Sequence, residues 1–170
     1  MCLWVLSRYA NQKQEAEKAV LLLKDMGVHC LIEQPRYNMF ERTPEDGLFK
    51  AMWEHGVGCI CYSPLAQGAL TDKYLNGIPQ GSRASRVGTT INDRYLSEEK
   101  LDQIRRLNEI AVSRNQSLAQ MALAWVLREK AVTSVLIGAS SVRQLENSVQ
   151  CLDHLEFSAD ELKAIDEILK

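Results

Sequence analysis

At 170 residues, with 46% hydrophobic and 25% charged side chains, the chain has the composition of a globular domain that can bury one core without a metal or disulfide staple. A formal net charge of -2 with scattered Lys and Arg lacks the basic face or stripe of a nucleic-acid binder. No apolar run reaches the length that crosses a bilayer, and Met1 to Tyr9 lacks the basic start and cleavage site of a secretory signal, so a cytoplasmic protein without a membrane partner is expected.

Leu3 to Leu6 reads as a short strand, and Gln12 to Met26 as a helix, because Ala16, Ala19, Val20, Leu22 and Leu23 recur at helical spacing before Gly27 stops it. The pattern then repeats. Cys30 to Ile32 is a second strand, and Thr43 with Pro44 supplies an N-cap and first-turn pair for a helix reaching about His55. Val57 to Tyr62 is a third strand, followed by a long loop with isolated cations. Ser97 opens a helix with Leu101, Ile104, Leu107 and Ala111 on one side, and Ser117 with Gln120 forms a capping box for another, to about Glu129. Val132 to Ile137 is the fourth strand. Ser141 with Gln144 offers a further capping box, and Phe157, Ser158, Glu161 and Leu162 combine a capping box with a hydrophobic staple for the last helix.

The five cysteines, Cys2, Cys30, Cys59, Cys61 and Cys151, lack paired CxxC spacing and the density of a disulfide scaffold, so they are read as reduced thiols. Cys59 and Cys61 face the same side of one strand. A metal or redox pair is one reading; two small buried hydrophobic side chains is the favoured one, and no metal site is assigned.

Strands alternating with helices imply parallel pairing by right-handed crossovers, hence an α/β fold in a single domain. No GxGxxG turn follows any strand, so a dinucleotide would have to be held in another way. In a barrel of this class, ligands lie at the C-terminal strand ends, here Ser7 to Tyr9, Gln34 to Asn38, Tyr62 onward and Gly138 to Gln144.

Four segments at those ends, LSRYA (Leu6 to Ala10), EQPRYNMFER (Glu33 to Arg42), YSPLAQGALTDKY (from Tyr62) and SVLIGASSVRQLENS (Ser134 to Ser148), resemble in order the last four strand ends of aldo-keto reductases. The likeness is to the branch that holds potassium-channel beta subunits and bacterial L-glyceraldehyde 3-phosphate reductases. It implies the last four strand-helix units of a (β/α)8 barrel, a half barrel over residues 1–170. A whole barrel of this kind runs to roughly 250 residues.

The resemblance implies an NADP(H) site. Ser7, Arg8 and Gln34 would orient nicotinamide, Tyr62 would stack on its ring, and Ser63, Pro64, Leu65 and Gln67 would follow the pyrophosphate. Lys73 and Arg83 would meet the 2′-phosphate, a dianion that a guanidinium engages with two parallel hydrogen bonds and an ammonium as a point charge. Gly138, Ser140 and Gln144 would complete the adenosine end. The family's catalytic Tyr, Lys, Asp and His belong to the first four strands and have no counterpart in these residues, so no catalytic residue is assigned. His29, His55 and His154 are read as surface residues. A carbonyl substrate is then expected only if the missing half is supplied by another polypeptide, and pairing with a second copy or with a complementary half barrel is expected, because inward side chains such as Ile32, Ile60 and Leu136 lack their facing layer. The alternatives are a noncatalytic regulatory or interaction module and an inactive truncated fragment.

Overall fold

Two stretches share one way of leaving a helix for a strand. In the computed structural model, which describes residues 18, 21–28, 32–85 and 91–170, a helical segment over residues 21–25 ends at Gly27. The Val28 N–H donates to the Leu23 carbonyl, the Gly27 N–H donates to the Lys24 carbonyl, and Gly27 takes a φ of 70°. This is the Schellman arrangement, and it needs a left-handed residue that glycine supplies without a Cβ clash. Helix α1, Leu48–His55, ends in the same way at Gly56, with the Val57 N–H reaching the Met52 carbonyl. The expected strand Leu3 to Leu6, together with Cys30 and Leu31, lies outside the described residues.

Three parallel strands are described, β1 Ile32–Glu33, β2 Gly58–Cys61 and β3 Ser134–Val135, in the order β1-β2-β3. Ile32 pairs with Gly58, and Ile60 with Ser134. The α/β class and the parallel pairing agree with the sequence reading. Only β3 is markedly shorter than expected, two residues in place of the run Val132 to Ile137. The expected helix from Thr43 is corrected too. Thr43 lies inside a 3-10 turn, Thr43–Asp46, whose N-cap is Arg42 and which carries no side-chain cap; Gly47, at φ 125°, then breaks the chain direction before α1 begins.

The described chain packs as two units. One takes the residues up to Pro64 together with Val126–Ile137. Its core holds Tyr37, Met39, Phe49, Met52, Cys59 and Cys61, with the Tyr37 and Phe49 rings edge to face at 4.8 Å. Strand alternation sets its two faces: Cys59 and Cys61 are buried, while Ile32 remains 38% exposed and Leu136 46%.

The other unit takes Leu65–Trp125 and Gly138–Lys170. It contains α2 Ile91–Tyr95, α3 Glu98–Ser113, most of α4 Leu118–Leu127, α5 Val142–Val149 and α6 Ala159–Leu169. Leu101, Ile104, Leu107 and Ala111 are the buried stripe of α3, as their spacing predicts. The α3 helix closes on Asn115, at φ 56°, in a third Schellman arrangement. The α4 helix is buried except at half-buried Gln120 and Leu127, and its capping box forms, with the Ser117 N–H bound to Gln120 Oε1 at 2.7 Å and the Gln120 N–H to Ser117 Oγ at 3.2 Å. At α6, Ser158 and Glu161 make the expected reciprocal pair.

Candidate functional site

In the first unit the end of β2 is held by the segment that follows β1. The ladder runs on as a parallel bridge between Arg36 and Tyr62, in which the Tyr62 N–H donates to the Pro35 carbonyl at 3.0 Å and the Tyr37 N–H to the Tyr62 carbonyl at 3.3 Å. At the next residue the chain leaves the sheet: Ser63 has a φ of 55°, a left-handed value uncommon outside glycine. There a side chain supplies the donor, Asn38 Nδ2 reaching the Ser63 carbonyl at 3.0 Å.

Asn38 is fully buried. Its Oδ1 accepts from the Phe40 and Glu41 N–H groups at 2.9 and 3.1 Å, an Asx turn that also fixes which amide atom is the oxygen. Neighbouring Tyr37 is anchored from the other side, its hydroxyl donating to Glu45 Oε1 at 2.6 Å and accepting from Arg128 Nη1 at 3.1 Å. Burial pushes the Tyr37 pKa far up, so this hydroxyl stays protonated. Tyr62 itself is half-buried, and the Arg36 guanidinium stands 5.3 Å from its ring centroid. Gln34, also half-buried, follows β1 directly, and Pro64 is buried.

The second unit carries the rest of the loop. Ala66 and Gln67 have left-handed φ values of 48° and 59°, followed by Gly68 at 99°. The Leu65 carbonyl collects the N–H groups of Gly68 and Leu70, at 2.8 and 3.2 Å. With Ser63, that makes three non-glycine residues in a conformation that costs about 1–3 kcal/mol each and concentrates at ligand sites. Thr71 Oγ1 then caps a 3-10 turn, Asp72–Tyr74, through the Lys73 N–H at 3.2 Å. Lys73 is exposed, its Nζ 5.9 Å from the centroid of the buried Tyr74 ring.

Arg83 opens another 3-10 turn, Arg83–Ser85, between two buried neighbours, Ser82 and Ala84. Asn92 Nδ2, from α2, pins that turn by donating to the Ala84 carbonyl at 2.7 Å.

Gly138, Ser140 and Gln144 stand before and on α5. A Cβ built on Gly138 would meet no atom within 4 Å, so packing within the chain does not require glycine there. The expected capping box is half-formed. Ser141 Oγ accepts from the Gln144 N–H at 3.2 Å, but Gln144 Oε1 accepts from the Ser140 N–H at 2.8 Å and from Ser140 Oγ at 2.9 Å, one residue short of the reciprocal partner. Ser140 and Gln144 are therefore brought together. Ser7 and Arg8 lie outside the described residues, as does His29.

His55 and His154 are exposed, and Tyr74 and Tyr95 are buried. Among the described residues no group of three or more His, Cys, Asp or Glu side chains could hold a metal ion, and no helix is long and apolar enough to cross a membrane. The sequence reading missed Asn38 and Asn92. A short-range signal for Asn38 existed, because an Asn at a strand end that turns straight back is the pattern of an Asx turn. The two long-range bonds carry no sequence signal.

From Tyr62 to Ser85 the loop holds an aromatic at its start, the cations Lys73 and Arg83, and Asp72 as its lone acid. Residues 8–170 match the model of the aldo/keto reductase family. The chain is 48% identical over 166 residues to L-glyceraldehyde 3-phosphate reductase of Escherichia coli strain K12, covering 95% of this chain and 47% of that protein. It is 46% identical over the same length to the enzyme of that name from Escherichia coli O157:H7. A putative voltage-gated potassium channel subunit beta of Schizosaccharomyces pombe is 37% identical over 142 residues, covering 81% of this chain and 41% of that protein. The chain thus spans about half the length of the curated relatives it matches.

Proposed function

The chain belongs to the aldo/keto reductase family, and on that premise we propose that it is the NADP(H)-binding C-terminal half of a reductase barrel. The observation that carries the reading is the loop after Tyr62, where strained left-handed backbone at Ser63, Ala66 and Gln67 leads on to Lys73 and Arg83. In this reading Ser7, Arg8 and Gln34 orient nicotinamide, Tyr62 stacks on it, and Ser63, Pro64, Leu65 and Gln67 border the diphosphate. Lys73 and Arg83 select the 2′-phosphate, while Gly138, Ser140 and Gln144 receive the adenosine. Ser140 and Gln144 exchange part of their mutual bonding for the ligand. The bound nucleotide supplies the hydride for carbonyl reduction.

The residues of this chain bind and orient; none serves as the proton donor. Reduction of an aldehyde or ketone, with short phosphorylated aldehydes suggested by the bacterial relatives' name, then requires the preceding strand-helix units, whether on the same polypeptide or on another. Exposed Ile32 and Leu136 support association with a second copy or a complementary half.

A second reading, a noncatalytic interaction module, is favoured by the likeness to the potassium channel subunit beta. Titration of NADPH and NADH against the unmodified chain and the Lys73→Ala and Arg83→Ala variants tests the first reading. It expects each substitution to weaken NADPH about tenfold, the value of one charge-assisted contact, and to leave NADH unchanged. Equal effects on both nucleotides overturn the 2′-phosphate assignment.

A further inference from the structure

We infer that Asn38 is a positioning residue for the nicotinamide end of the site, setting Tyr62 and Ser63 by adding one side-chain hydrogen bond just beyond the end of the backbone ladder. The inference rests on the cofactor reading above. Its ground is a side-chain donor placed just past the end of one ladder. The last backbone bond of that ladder runs from the Tyr37 N–H to the Tyr62 carbonyl. The Asn38 N–H turns back to the Glu41 carbonyl at 3.2 Å. Its side chain reaches across instead, and Asn38 Nδ2 meets the Ser63 carbonyl, one residue beyond the bridge.

The carboxamide is well suited to this task, because both its ends are committed. Oδ1 holds the turn through Phe40 and Glu41, and the second Nδ2 hydrogen reaches Glu41 Oε2 at 3.3 Å. The side chain is therefore fixed on one segment and delivers a single donor to another, 25 residues away in sequence. The receiving residue is Ser63, whose φ of 55° is disfavoured for any side chain with a Cβ and has to be held by its surroundings. Ser63 is bonded to Tyr62, so its peptide orientation sets the direction in which the chain leaves the Tyr62 ring. Asn38 is fully buried and touches no nucleotide directly; it acts through the Ser63 peptide.

The test compares NADPH with 2′,5′-ADP, which keeps the adenosine and the 2′-phosphate and lacks nicotinamide. The variants are Asn38→Ala and Asn38→Asp; the second keeps the acceptor of the Asx turn and loses the donor to Ser63. In both, the NADPH dissociation constant is expected to rise about tenfold, the effect of one lost buried hydrogen bond, with 2′,5′-ADP binding unchanged. Equal weakening of both ligands, or loss of both with a collapsed melting transition, contradicts the inference by assigning Asn38 to the fold alone. Unchanged NADPH binding in either folded variant also contradicts it. Failure of the unmodified chain to bind either ligand overturns the cofactor reading itself, and the inference with it.

Discussion

Arg114 Nη1 lies 2.7 Å from Glu161 Oε1, joining positions 47 residues apart in sequence. The guanidinium also donates from Nε to Gln116 Oε1 at 2.9 Å and from Nη2 to the Glu156 carbonyl at 2.9 Å, and Cζ stands 3.8 Å from the centroid of the Phe157 ring. Its side chain is 1% exposed. Every polar edge is used, which makes this buried cation tolerable. Removing it leaves a carboxylate and backbone carbonyls unmatched, so Arg114→Met is expected to cost about 3 kcal/mol, and Arg114→Lys less, in urea unfolding.

Partial burial raises the Glu161 pKa, but the Ser158 backbone N–H and the Arg114 guanidinium outweigh it, and the net position is below the ordinary carboxylate value. The folded state therefore binds this proton less readily than the unfolded one. The stabilisation is complete above the unfolded pKa of about 4.3 and is lost as pH falls through the folded value. Glu161→Gln is expected to flatten the fall of the urea midpoint over that acid range. An unaltered slope counts against the pairing.

The sulfurs of Cys59 and Cys61 are 3.5 Å apart and wholly buried. The hydrogen bond to Cys61 and burial hold the Cys59 thiol well above its ordinary pKa; burial and Asp153 raise that of Cys151. The Cys59 and Cys151 thiols stay protonated in the folded chain while the unfolded chain ionises from about pH 8.5, so the contribution of these two to stability is present below that pH and lost as pH rises past it. Thiol labelling at pH 8 with peptide mapping is expected to leave Cys59, Cys61 and Cys151 unmodified until denaturant is added. Rapid labelling of any of them in the folded chain contradicts this burial.

Val142, Leu145 and Val149 recur at helical spacing on α5 and are exposed, as is Leu152 just beyond it. An open apolar stripe of this kind favours association. Sedimentation velocity is expected to show mass rising with concentration, and the double variant Val142→Lys, Leu145→Lys is expected to reduce it. A compact monomer at every concentration contradicts the association proposal.

Much of the fold was legible because its signals are local. The stripe of α3, the capping boxes of α4 and α6 and the parallel order of β1 to β3 follow from periodicity and cap residues at short range. The start of α1 was misplaced because Thr43 and Pro44 are as compatible with a 3-10 turn as with a helix, and Gly47 decides between them only through its positive φ. The half-made box at Ser141 was illegible for a related reason: a Gln144 side chain can satisfy either of two adjacent serines, and the choice lies in the loop geometry. At the candidate site the residue types could be read from the sequence. The bond from Asn38 to Ser63 and the left-handed run could not, since both depend on contacts or backbone angles that no spacing encodes.

NADPH titration of the unmodified chain, followed by intrinsic fluorescence, tests the central proposal most directly. Saturable binding, tighter than that of NADH, is the predicted result. Absence of saturation up to about 1 mM, with the chain folded by circular dichroism, would contradict it.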